Sequence, residues 1–203
     1  VPVEGSDRPF PVRRILCVGR NYAAHRREMG GDDRDPPFFF SKPADAIVPP
    51  GTDAPYPTAT SDLHHEIELV VALGEGGAIF GFAVGVDLTR RDLQAAFKAK
   101  GQPWDAAKGF DASAPISAIR PFDGTIPQGA IALSVNGEIR QQARVADMIW
   151  SVEEIIAEAG KLWALESGDL IYTGTPEGVA ALQRGDAVTG EVEGVGAIAF
   201  RIV

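Results

Sequence analysis

A single cysteine in 203 residues, Cys17, excludes an internal disulfide, and a chain without one suits the reducing cytosol better than a secreted setting. Cys17 stands in the apolar stretch Ile15 to Gly19 and reads as packing. No run approaches the ~20 apolar residues of a bilayer-spanning helix, and the first residues lack the basic, apolar and small-residue succession of a signal peptide. A soluble, cytoplasmic protein with no membrane partner is expected. Basic residues are outnumbered too. The 19 Lys and Arg against 28 Asp and Glu leave a formal net charge of −9, which argues against a nucleic-acid partner.

What is present points to one β-rich domain. A hydrophobic content of 45% is enough for a sizeable core, while 23 Gly and 15 Pro fall between periodic segments and mark many turns and short strands. Residues 1–13, with Pro2, Pro9 and Pro11, read as an extended arm ahead of a single domain, 14–203. Ile15 to Gly19 reads as a strand by its apolar run, and Asn21 is placed to cap a helix from Tyr22 to Met29 that ends at Gly30-Gly31. His64 to Leu73 alternates as a strand, and Phe80 to Leu88 follows as a second. Thr89 to Asp92 has the spacing of a capping box opening a helix to about Lys100, and Ser151 to Glu154 repeats it before the stripe Val152, Ile155, Ile156, Ala159, Leu162 and Trp163. Asn136-Gly137 joins Ile131 to Val135 with Glu138 to Arg140 as a hairpin, and Asp169 to Tyr172 and Ala187 to Val203 read as further strands. A few short helices among many strands, without regular strand–helix alternation, predict an α+β, β-rich fold and argue against a doubly wound nucleotide-binding one.

The most informative pattern is Glu66-Ile67-Glu68. Positions i and i+2 of a strand share a face, so two carboxylates are forced together and need positive charge between them. A hard divalent cation satisfies this, with Asp87 at the end of the next strand as a third oxygen donor, and such a donor set suits Mg²⁺, Mn²⁺ or Ca²⁺ better than Zn²⁺. The alternative is a solvated strand face, which the apolar run Leu69 to Leu73 weakens. His25 and Glu28, three apart on the first helix, form either a surface ion pair or an imidazole oriented by a carboxylate to act as a base toward water. Arg20, Lys42, Arg91 and Lys108 are candidates to receive an anionic substrate, or simply solvated cations.

Taken in order, CVGRNYAAHRREMG (17–30), PFFFSKPADAIVPPG (37–51), DLHHEIELVVALG (62–74), GVDLTRRDLQ (85–94), KGFDASAPI (108–116), VNGEIRQ (135–141) and GDLIYTGTPEGV (168–179) closely resemble the fumarylacetoacetate hydrolase family. The likeness runs over nearly all the chain beyond residue 13. It is strongest to members that act on fumarylpyruvate, with acylpyruvase and oxaloacetate decarboxylase members close behind.

The resemblance implies a mixed β-roll of the family's C-terminal-domain type, a homodimer, and one Mg²⁺ or Mn²⁺ per chain. By motif position it makes Glu66, Glu68 and Asp87 the metal ligands, His25 and Glu28 the water-activating dyad, and Lys108 the lysine beside the substrate carbonyl. Lys42, Arg91, Gln94 and Thr175 fall at substrate-pocket positions, with Arg20 beside them. The implied activity is hydrolysis of the carbon–carbon bond of a small acylpyruvate, an anionic 2-oxo acid. Oxaloacetate decarboxylation or isomerisation is the alternative within the family, and a non-catalytic metal- or metabolite-binding protein is the alternative outside it. One departure from the family pattern is the short stretch between Gly74 and Gly81, which is either a tight turn or the site of missing residues.

Overall fold

The computed structural model describes residues 1–22 and 35–203. The expected helix from Tyr22 to Met29, and with it His25 and Glu28, lies outside the described residues except for Tyr22, which forms an isolated bridge to Met148.

A six-stranded mixed sheet organises the chain. Its spatial order is Phe38–Lys42, Arg14–Gly19, Asp169–Tyr172, Ile67–Leu73, Ile79–Val86 and Arg120–Pro121. Arg14–Gly19 and Asp169–Tyr172 run parallel, and the other neighbours are antiparallel. Ile67–Leu73 is buried at every residue, as a central strand covered on both faces must be. Its alternate residues separate accordingly. Ile67, Leu69, Val71 and Leu73 pack with Leu16, Val84 and Val86 against Ile131, Leu133, Val188 and Phe200 of a four-stranded antiparallel sheet. Val70 and Ala72 face the other way, toward Ile15, Cys17, Tyr172, Ile116 and the arm residues Val3 and Phe10. The result is the expected β-rich mixture, with helices Arg91–Lys100, Asp105–Lys108 and Val152–Leu162 among the described residues.

Local expectations fare unevenly. The Ser151–Glu154 capping box is present in both directions, and Asn136-Gly137 turns the hairpin Ala130–Val135/Glu138–Arg144 with φ of 53° and 82°. The Thr89–Asp92 box is absent. Thr89 pairs with His64 in a short strand, its hydroxyl accepts a bond from Lys108, and the Asp92 carboxylate turns to Thr60 and Ser61. The helix therefore begins at Arg91 without a side-chain cap. His64 to Leu73 is not one strand either, because the ladder breaks at His65 and Glu66 and resumes at Ile67. Between Gly74 and Gly81 the chain makes a tight turn closed by the Gly74 amide on Ala78 O at 2.7 Å.

Candidate metal and substrate site

The break at His65 and Glu66 lies where the site is built. Glu66 precedes the central strand, Glu68 is its second residue, and the Asp87 amide donates to Glu66 O at 2.8 Å, which sets the end of the neighbouring strand beside them. The three carboxylates are buried, and one oxygen from each lies within 4.8 Å of the others. Asp169–Tyr172 runs into the same place, so that the Gly174 amide donates to Glu68 Oε2 at 2.7 Å.

Among the described residues, three cations hold this cluster. Lys108, at the end of its short helix and 2% exposed, donates through Nζ to Glu66 Oε2 at 2.8 Å, Asp87 Oδ2 at 2.6 Å and Thr89 Oγ1 at 2.6 Å. Burial alone lowers the pKa of this ammonium, but Asp87 and Glu66 outweigh that and raise it above the ordinary lysine value. Arg91 pairs with Glu66 and donates to Gln94 Oε1 at 2.5 Å. Lys42, fully buried, donates to the carbonyls of Leu88 and Lys108, and its Nζ stands 2.8 Å from Asp87 Oδ1 without hydrogen-bond alignment. Lys42 thus braces Asp87 from behind and does not line the cleft. Arg91 likewise acts on Glu66 and Gln94.

The cleft is walled by Arg20, Phe38, Phe40, Trp104, Gln94, Glu66, Glu68, Lys108 and Thr175. Phe38 and Phe40, two apart on one strand, meet Trp104 edge-on at 5.3 and 6.2 Å. Arg20 stands at its side with a left-handed backbone (φ 61°) and its guanidinium 5.9 Å from the Phe38 ring centroid. Trp104, Thr89, His65 and Gln141 are not among the site residues expected from the sequence. His65, Thr89 and Gln141 each stand within one of the family-like motifs, DLHHEIELVVALG, GVDLTRRDLQ and VNGEIRQ. His65 is buried, and desolvation lowers its pKa below the ordinary histidine value, so it is neutral near pH 7.

The donor set fits a hard divalent ion. Glu68 is a buried carboxyl whose pKa is pushed well above the ordinary range by desolvation first and by Asp87 and Glu66 next, with the Gly174 amide and Lys108 opposing. Asp87 Oδ1 is buried without a hydrogen bond. Carboxylate oxygens that are dehydrated and crowded, one of them without an aligned hydrogen bond, are what a cation of the Mg²⁺, Mn²⁺ or Ca²⁺ type relieves.

Residues 14–203 match the fumarylacetoacetate (FAA) hydrolase C-terminal family. The chain belongs to the fumarylacetoacetate hydrolase family. It is 44% identical to the fumarylpyruvate hydrolase of a Ralstonia species over 81% of its own length and 92% of that protein's. It is 40% identical to the oxaloacetate tautomerase YcgM of Escherichia coli K12, over 94% and 93% of the two chains. A crystal structure of fumarylpyruvate hydrolase from Pseudomonas aeruginosa, in complex with Mn²⁺ and pyruvate, superposes on the whole chain and 94% of its own with a TM-score of 0.96 at 47% identity. Among the described residues of this family member, no helix is long and apolar enough to cross a membrane.

Proposed function

We propose that this protein is a divalent-cation-dependent hydrolase that cleaves the carbon–carbon bond of a small acylpyruvate, fumarylpyruvate foremost. The reading rests on one observation: Glu66 and Glu68 of the buried Glu66–Glu68–Asp87 cluster line, together with Lys108, a cleft shared with Arg20, Gln94 and Thr175. A relative of 47% identity that holds Mn²⁺ and pyruvate supports it.

Glu66, Glu68 and Asp87 would hold one Mg²⁺ or Mn²⁺ per chain. When bound, the ion supplies positive charge to the oxygens of a 2-oxo acid. Lys42 and Arg91 keep two of the carboxylates in place from outside the cleft, while Arg20, Gln94 and Thr175 offer donors to the substrate's anionic and carbonyl oxygens. His25, oriented by Glu28, takes a proton from water, and the hydroxide attacks the distal acyl carbonyl. The bond to the methylene carbon breaks, and its electron pair moves into the 2-oxo side, where Lys108 balances the charge. Protonation of that carbon gives pyruvate beside the released acid, fumarate for fumarylpyruvate. A cytoplasmic homodimer completes the reading.

The similarity to an oxaloacetate tautomerase supports a second reading, in which the same cleft moves a proton between carbon and oxygen of oxaloacetate without water attack. Rates on fumarylpyruvate, acetylpyruvate and oxaloacetate, in EDTA and after Mn²⁺ or Mg²⁺ is restored, separate them. Hydrolysis that needs the ion is expected. Ion-dependent enol–keto exchange of oxaloacetate with no acylpyruvate cleaved would replace the first reading by the second.

A further inference from the structure

Gln141 is fully buried on Glu138–Arg144, a strand otherwise largely exposed. It points inward because the ladder slips there. Ser134 pairs with Ile139 but Leu133 pairs with Gln141, so Arg140 is the extra residue of a bulge, the device that re-aims a side chain out of strand alternation. The bulge is also packed against the loop that carries Thr175. A Cβ on Gly178 would stand 2.1 Å from Arg140 O, so only glycine lets the two backbones meet this closely.

The Gln141 amide is completely used. Its oxygen accepts from the Ile67 amide at 3.1 Å and pairs with His65 Nδ1 at 2.9 Å, while its nitrogen donates to Thr175 Oγ1 at 2.8 Å and Pro176 O at 2.9 Å. The Ile67 amide can only donate, which fixes the orientation of the whole group and makes His65 Nδ1 a donor as well. One end of Gln141 therefore holds the residue between Glu66 and Glu68, and the other holds the loop opposite.

The consequence falls on Thr175, which lines the cleft and is 3% exposed. A hydroxyl that accepts from an amide N–H keeps its own proton for another acceptor. We propose that Gln141 is a positioning residue that fixes the Thr175 hydroxyl as a hydrogen-bond donor to the carboxylate of the 2-oxo acid in the cleft. This rests on the functional reading above, and on Gln141 acting through Thr175 and not through the stability of the sheet.

A double-mutant cycle on pyruvate binding to the Mn²⁺-loaded protein, read by calorimetry, tests it. Gln141→Met and Thr175→Val are each expected to weaken pyruvate roughly 10-fold, the size of one hydrogen bond to a charged group. The double variant should be no weaker than either single one, and Thr175→Ser should bind like the wild type. Losses that multiply in the double variant overturn the proposal, as does a Gln141→Met protein that binds normally. If Gln141→Met does not fold, Gln141→Glu replaces it in the same cycle, because a carboxylate still accepts from Ile67 and His65 but cannot donate to Thr175. Wild-type protein that binds pyruvate but cleaves no acylpyruvate leaves the cycle readable and rejects the functional reading instead.

Discussion

The Lys108 ammonium lies 2.6 Å from Asp87 Oδ2, both groups buried, between oxygens that converge as a cation's ligands do. It neutralises the cluster in the protein alone, and its flexible stem allows it to give way. Lys108→Met should therefore destabilise the protein in EDTA by about 3–5 kcal/mol, the effect of leaving buried charge unpaired. Mn²⁺ should restore more stability to this variant than it adds to the wild type, while turnover stays lost. Urea unfolding with EDTA and with Mn²⁺ measures both, and a variant as stable as the wild type in EDTA would refute the idea.

Glu68 is expected to behave in the opposite way. Its carboxyl is shifted well upward by burial and by its acidic neighbours, so the fold disfavours the ionised form. That penalty is absent below the unfolded value near ~4.3 and complete once pH exceeds the folded pKa. Glu68→Gln keeps an acceptor for the Gly174 amide and should stabilise the EDTA-treated protein at neutral pH by on the order of 1 kcal/mol. Its Mn²⁺ affinity should fall by more than the roughly 10–100-fold typical of lost outer-sphere support. Electron paramagnetic resonance of free Mn²⁺ reads the affinity, and unchanged binding would remove Glu68 from the ligand set.

Features governed by local rules were legible in the sequence. The hairpin at Asn136-Gly137, the Ser151 cap and the alternation of Ile67 to Leu73 each follow from neighbours a few residues apart. The Glu66/Glu68 pair was legible for the same reason, since i and i+2 must meet on extended chain. Thr89 misled because Thr-x-x-Asp reads as a cap only until a distant lysine claims the hydroxyl, and Lys108 lies nineteen residues on. Lys42 looked like a substrate ligand by motif but lies behind Asp87, a distinction only the packing of two strand ends makes. Gln141 faces inward through a bulge, and no periodicity announces which residue a bulge will turn.

Asp169 opens its strand beneath Arg13 and Arg14, and provides an acid-stability test remote from the cleft. Arg14 grips it with Nε at 3.0 Å and Nη2 at 2.8 Å, Arg13 adds Nη1 at 2.9 Å, and the Glu166 amide donates at 3.0 Å. Burial by itself raises this carboxyl, but these bonds outweigh it and hold the pKa below the ordinary aspartate value. A depressed folded pKa contributes stability that is complete above the unfolded value near ~3.9 and lost as pH falls through the folded one. Asp169→Asn should cost about 2 kcal/mol at pH 7, as charged hydrogen bonds do, and the gap to wild type should close below about pH 4. A gap that stays constant down to pH 2 would contradict the assignment.

His25→Ala carries the sharpest test of water attack. The proposed base and the acidic cluster belong to separate segments of the chain, so removing the imidazole should leave Mn²⁺ affinity unchanged while kcat on fumarylpyruvate falls by about 10²–10⁴. Glu28→Gln should act in the same direction and more mildly, since an amide still accepts a hydrogen bond but no longer supports the imidazolium by charge. Oxaloacetate chemistry that needs no activated water should suffer less from either change. The measurement is kcat on both substrates for each variant beside Mn²⁺ affinity. Near-wild-type cleavage of fumarylpyruvate by His25→Ala would eliminate the base and, with it, the main argument for hydrolysis over tautomerisation.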